Sequence, residues 1–182
     1  MCSITCLKFG KRNLSEIDVK DKEVIEVGAY NVNGSIRDHV LTLQPKKYLG
    51  VDMMAGSCVD VVCNAYDIVD KFGANSFDVV ISTEMLEHIE DWRRVISNFK
   101  RVCRPGGVIL ITTRSKGFGR HSYPADYWRY EYEDMQEIFS DCIIEKLEKD
   151  TRRPGVFIKV KKPEGFVEKD LSKHQLFSMT NE

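Results

Sequence analysis

Hydrophobic positions along the chain fall into short β-branched runs separated by amphipathic or polar stretches. Val24, Ile25 and Val27 form the first run, end at Gly28, and read as a strand buried on both faces. KYLGVD over residues 47–52, Val59–Cys63, Phe77–Ser82 and Val108–Thr113 read as four more strands. Trp92, Val95, Ile96, Phe99 and Val102 recur at helical spacing, with Asp91 as the N-cap of a helix over Trp92–Cys103. Arg104-Pro105-Gly106-Gly107 has the residues of a type II turn. A helix near Glu133–Phe139 precedes two strands, Ile143–Lys149 and Val156–Lys161, whose short TRRPG link predicts an antiparallel hairpin. Met53–Ser57 is too short for a helical crossover, so a loop is expected there. The alternation predicts an α/β, Rossmann-like, doubly wound and mostly parallel seven-stranded sheet. A C-terminal antiparallel hairpin closes it, and helices cover both faces.

Three segments follow from this pattern. Residues 1–22 are a mixed polar lead-in, with a short helix near Leu14–Val19 expected to close over a cofactor. Residues 23–161 form the principal domain. Residues 162–182 are a polar tail expected to be loose, and Lys159, Lys161 and Lys162 a solvated strand end. Composition narrows the class. With 182 residues, 42% hydrophobic, 30% charged and a formal net charge of −1, the chain suits one soluble domain without a basic field for nucleic acid. No apolar run approaches the length of a membrane span, and the first residues lack a signal peptide's apolar core, so a cytoplasmic location is expected. Six scattered cysteines without a CxxC pair read as reduced thiols.

The chemistry begins at Val24–Arg37, VIEVGAYNVNGSIR. A strand, a glycine turn and a helix start make a nucleotide cradle, yet the G-x-G-x-x-G of dinucleotide sites is missing. Glu26 stands inside the strand, two residues before Gly28. A carboxylate there disfavours a pyrophosphate and suits a cation, such as the sulfonium and ammonium of S-adenosylmethionine. Asp52 ends the second strand, where an acid accepts hydrogen bonds from ribose hydroxyls.

The motifs VIEVGAYNVNGS, YLGVD, VVCNAYDI, NSFDVVISTEMLEHIEDW and RVCRPGGVILITT occur in one order. Together they resemble class I S-adenosylmethionine-dependent methyltransferases, particularly the type 11 branch, over Glu23–Lys161. The resemblance implies a cofactor site of Glu26, Gly28, Ala29, Gly34, Asp52, Met53, Asn64 and Ala65. In it the glycines admit the methionine portion, Asp52 holds the ribose, and Asn64 with Ala65 meets the adenine. The sequence departs from the family's E/D-x-G-x-G-x-G, because Tyr30 and Val32 occupy the later glycine places.

Glu84-Met85-Leu86-Glu87-His88 is similar to a run in ubiquinone-pathway O-methyltransferases and in metal-dependent RNA 3′-end ribose methyltransferases. A helix here would align Glu84, Glu87 and His88, and with His121 these could hold Mg²⁺ or Mn²⁺. In non-metal relatives the same run only lines the cofactor pocket and fixes the loop. His88, His121 and Glu84 are the catalytic candidates, the histidines as general bases. Gly117–Tyr130, GFGRHSYPADYWRY, reads as an amphipathic lid whose Tyr123, Tyr127, Trp128 and Arg129 contact the acceptor. The expected function is O-methylation of a small molecule, sugar-like or a secondary metabolite. The rivals are an RNA-end ribose methyltransferase and a catalytically silent cofactor-binding subunit, and a homo-oligomer is compatible with all three.

Overall fold

The β-branched runs pair with one another in a computed structural model that describes residues 3–121 and 125–180. Strands β1 (Glu23–Val27), β2 (Lys47–Asp52), β3 (Val61–Val62), β4 (Phe77–Thr83) and β5 (Cys103–Thr113) lie parallel. A two-residue β6 (Trp128–Arg129) lies outside this sheet. The hairpin β7 (Ile143–Lys149) and β8 (Val156–Lys161) is antiparallel, and β8 also runs antiparallel to β5. The order β3-β2-β1-β4-β5-β8-β7 has its switch point between β1 and β4, both central and apolar on each face.

Alternating side chains divide the core between two layers. Ile25, Val80, Ile109 and Ile158 meet α4 (Ile68–Phe72), α5 (Trp92–Val102) and α6 (Tyr132–Ile138) on one face. Val24, Val79, Leu110 and Phe157 meet α1 (Ile4–Asn13), α2 (Glu16–Val19) and α3 (Arg37–Thr42) on the other. The seven-stranded doubly wound architecture and its closing hairpin are those the pattern predicts. Asp91 caps α5 by accepting the Arg94 N–H at 3.2 Å. Among the described residues no helix is long and apolar enough to cross a membrane.

Several local expectations fail for identifiable reasons. The third strand is only Val61–Val62, because Asp60 turns its carboxylate back to the Gly50 N–H at 2.7 Å, and Met53–Ser57 is a loop. The lead-in does not close over the cofactor cleft. Ser3 caps α1, whose Cys6 and Phe9 are buried on the sheet, and the Phe9 ring lies 5.3 Å from that of Phe157. The polar tail is not loose either. Leu171 and Leu176 join the core, and β9 (Phe177–Ser178) pairs antiparallel with β6. Lys159 bridges Asp18 and Glu145 at 2.9 Å each, and the Lys162 ammonium donates to the Lys100 and Cys103 carbonyls at 2.8 and 2.7 Å. Neither is a solvated strand end.

The burial of α1 makes it part of the fold. Phe9→Ala should cost about 3–5 kcal/mol in urea unfolding, as for a fully enclosed phenylalanine. A loss below about 1 kcal/mol would mean that the helix is an appendage.

Candidate functional site

The parallel strands end together, and their carboxyl ends line a cavity of about 300 Å³. Gly28 turns the chain out of β1 at φ 84, where a Cβ would lie 2.7 Å from Cγ of Met85, so both backbone and space require glycine. Glu26 is buried on the cavity wall and accepts a hydrogen bond from the Tyr48 hydroxyl. Burial pushes its carboxyl up to about 7, against the lowering influence of Tyr48 and Arg37. Asp52 accepts the Tyr30 and Met54 N–H groups at 3.2 and 3.0 Å, which fix its carboxylate at the rim. Asn64 caps the 3-10 turn Ala65–Asp67 through its Oδ1, which accepts the Tyr66 N–H. All eight residues assigned by resemblance to the cofactor, Ala29, Gly34, Met53 and Ala65 included, line this one cavity. Tyr30 and Val32, which depart from the family's glycines, line it as well, as does Met54, which the sequence did not single out. Their partial exposure as large hydrophobics is visible only in three dimensions.

A second cluster borders the same cavity. Residues 84–88 are not a helix. The Glu84 N–H extends the β4–β5 ladder to Thr112 O at 2.8 Å, Glu84 then takes φ 51, and only Leu86–His88 form a 3-10 turn. Glu84 and Glu87 therefore part. Glu84 pairs with the buried Arg114 and accepts the Ser3 N–H at 3.0 Å. Burial raises its carboxyl while Arg114 lowers it, with the net shift upward. Glu87 turns to Thr113, whose hydroxyl donates to Oε2 at 2.9 Å, and its Oε1 is buried with no hydrogen-bond partner among the described residues.

The ligand atoms of Glu87, His88 and His121 lie within 4.8 Å of one another, with His121 Nε2 3.9 Å from Glu87 Oε1. His88 Nδ1 faces the Ala125 carbonyl, so in the neutral ring Nδ1 carries the hydrogen and Nε2 the lone pair. His121 Nδ1 lies 3.2 Å from Asp126 without a hydrogen bond to it, and the His121 backbone N–H is what donates to that carboxylate, at 2.9 Å. Burial pushes the His121 imidazole down, although Glu87 and Asp126 oppose the shift. Two imidazoles, that of His88 oriented from behind, and an unpartnered carboxylate oxygen fit a divalent cation. Glu84 does not belong to that set.

The expected acceptor lid is a scaffold in its second half. Arg129 is fully buried and clamped by Asp126 at 2.5 and 2.7 Å and by the Phe118 and Gly119 carbonyls. Burial would raise the Asp126 carboxyl, but Arg129 and the His121 N–H outweigh it and hold it below the usual range. Trp128 donates its indole N–H to Glu90 O at 3.0 Å, and the Tyr127 N–H reaches Glu87 O at 2.8 Å. None of Tyr127, Trp128 and Arg129 lines the cavity, and Tyr123 lies outside the described residues. Asp126, which orients His121, was missed. Its three-residue spacing from Arg129 was the available signal.

Residues 6–145 match the family model described as a methyltransferase domain. The chain belongs to this family. Its sequence is 29% identical over 122 residues to a ubiquinone biosynthesis O-methyltransferase of Coxiella burnetii, covering 59% of this chain and 50% of that protein. The chain thus spans about half the length of the curated relatives of that kind. In structure it resembles the 1,6-didemethyltoxoflavin-N1-methyltransferase of Burkholderia thailandensis, which was solved with its substrate and S-adenosylhomocysteine. The TM-score is 0.71 at 13% identity, covering 87% of this chain and 78% of that one. The [4+2]-cyclase SpnF has the same fold, with a TM-score of 0.66 at 15% identity over 88% and 82% of the two chains. Such likeness carries the fold and not the chemistry.

The Arg129 clamp sets an expectation that a substrate-contacting arginine would not. Arg129→Met leaves Asp126 buried without its partner and should cost about 3–5 kcal/mol, roughly 6–20 °C in Tm for a domain of this size. An unchanged melting curve would show the arginine to be dispensable to the fold.

Proposed function

We propose that the protein is an S-adenosylmethionine-dependent methyltransferase that methylates a hydroxyl of a small molecule. The observation that carries this reading is the pair of carboxylates, Glu26 and Asp52, on one cavity wall beside a single tight glycine turn. Glu26 would hold the cationic end of the cofactor, Asp52 its ribose hydroxyls and Asn64 with Ala65 its adenine. S-adenosylmethionine supplies a methyl group on a sulfonium, which departs as a neutral thioether when the acceptor oxygen takes the methyl. The chain's part is alignment and removal of the hydroxyl proton. His88 Nε2, set by the Ala125 carbonyl behind its ring, and His121 Nε2 are the acceptors for that proton. The oxygen preference is further supported by likeness to a ubiquinone biosynthesis O-methyltransferase. A net charge of −1 gives the RNA-end reading no support.

With a cation present the roles change: Glu87, His88 and His121 would hold Mg²⁺ or Mn²⁺, with Glu87 Oε1 as the anionic ligand, and the histidine lone pairs would then serve the metal and not the proton. The chemistry that a divalent cation held there would supply is Lewis acidity toward the acceptor hydroxyl. Thr113 and Asp126 then serve as outer partners that keep Glu87 and His121 aimed.

Cofactor binding should depend on pH through Glu26. Its value in the free protein, about 7, lies above its ordinary 4.5. Its contribution to stability is therefore complete below pH 4.5 and is lost as pH rises through 7. A cationic ligand favours the ionised form, so binding near neutrality releases a proton. Calorimetric affinity for S-adenosylmethionine should rise up to about tenfold from pH 6 to pH 8, and Glu26→Gln should flatten the profile. Absence of binding at every pH would remove the methyltransferase reading.

The metal has its own readout. The parent protein should broaden and diminish the free Mn²⁺ electron-paramagnetic signal, and Glu87→Gln should weaken this binding at least about tenfold. Chelator should lower methyl transfer in the parent. Full activity in chelator together with an undiminished Mn²⁺ signal leaves the histidines as bases alone.

A further inference from the structure

A second cavity of about 320 Å³ adjoins the first and shares Glu84 and His121 with it. Its remaining walls include Asn33 from the loop after β1 and Arg114 from the end of β5. The N-terminal segment contributes Ser3, Ile4 and Thr5, and the loop after β5 contributes Phe118. The turn between β7 and β8 contributes Arg152 and Arg153. These arginines differ from others that are buried or half-buried. Arg37, Arg104, Arg114 and Arg129 are each committed to a carboxylate, whereas the exposed guanidinium groups of Arg152 and Arg153 form no ion pair among the described residues.

The turn that carries them is held rigidly. Asp150, its side chain fully buried, accepts the Thr5 hydroxyl at 2.8 Å, the Arg152 N–H at 2.9 Å and the Arg114 guanidinium at 3.4 Å. The Asp150 N–H also closes the turn on Gly155 O at 2.8 Å, and Pro154 constrains it further. Among the residues that line this cavity Glu84 is the one acid, and Arg114 pairs with it, so the lining keeps the charge of the outer pair. Two unneutralised guanidinium groups on a fixed turn, facing a cavity with hydroxyl and amide walls, make a preorganised anion site.

We propose that this second cavity binds the acceptor, and that the acceptor is a hydroxylated small molecule bearing a carboxylate or phosphate held by Arg152 and Arg153. The anion lies at the outer end and the reacting hydroxyl points inward to the wall shared with the cofactor cavity. This rests on the methyltransferase reading for the meaning of the inner end, whereas anion binding itself does not.

The test uses three probes of similar size: glucose 6-phosphate, glucuronate and glucose. Arginine side-chain NMR signals of the full chain, assigned through Arg152→Ala and Arg153→Ala, report contact directly. At least one anion should shift both signals saturably, while glucose should not shift them at millimolar concentration. A response to glucose 6-phosphate alone identifies a phosphate acceptor, and a response to glucuronate alone a carboxylate. The double variant should bind the anion about ten- to a hundredfold more weakly. Its Tm and its affinity for S-adenosylhomocysteine should be unchanged, since both side chains are exposed. Silence to both anions, equal binding of glucose, or full binding by the double variant overturns the proposal. Failure of the parent to bind S-adenosylhomocysteine instead overturns the methyltransferase reading, whatever the anions do.

Discussion

A single buried guanidinium ties the molecule together at the end where its chemistry lies. Arg114, at the end of β5, stands between Glu84 and Asp150, all three nearly inaccessible to water. Glu84 also holds Ser3, and Asp150 also holds Thr5. The N-terminal segment, the ends of β4 and β5 and the β7–β8 turn therefore meet at one charged junction. Removing charges from water is costly, and such a junction persists only because each lone pair and proton is matched. It holds Glu84 in its left-handed conformation and supplies the wall between the two cavities.

That junction divides the work of two carboxylates three residues apart. Glu84 goes to Arg114 and becomes structural glue. Glu87, released by the break in the backbone, turns to Thr113 and leaves one oxygen bare beside two histidines. The same fold supports methyltransferases and a [4+2]-cyclase, so the site's chemistry resides in such side-chain choices.

The sheet was legible because its strands are buried on both faces and therefore appear as uninterrupted β-branched runs. The β7–β8 hairpin matches to the residue, since TRRPG leaves no other short connection. The cofactor cavity was legible for a related reason: Glu26, Gly28, Asp52 and Asn64 sit at or just beyond strand ends, where position along the chain fixes position in space. Segments without periodicity were opaque. Leu171, Leu176 and Phe177 are spaced irregularly among charged residues, and only β9 pairing with β6 reveals their role. Arg129 looked like a surface recognition residue because a polar, loop-like stretch does not show burial, although its partner Asp126 is only three residues away. Local spacing also misjudged 84–88, where the β4–β5 ladder overrode helical propensity.

The docking of α1 on β8 has a consequence in time. Phe9 packs on Phe157 and Thr5 bonds Asp150, so a helix made early rests against a strand made nearly 150 residues later. At about 5–20 residues per second, those partners emerge roughly 7–30 s apart on a ribosome. During that interval the apolar face of α1 lacks its Phe157 contact, and the Asp150 half of the junction does not yet exist. The wall between the two cavities is thus completed late, by segments that are distant in sequence and must find each other after the central strands have been made.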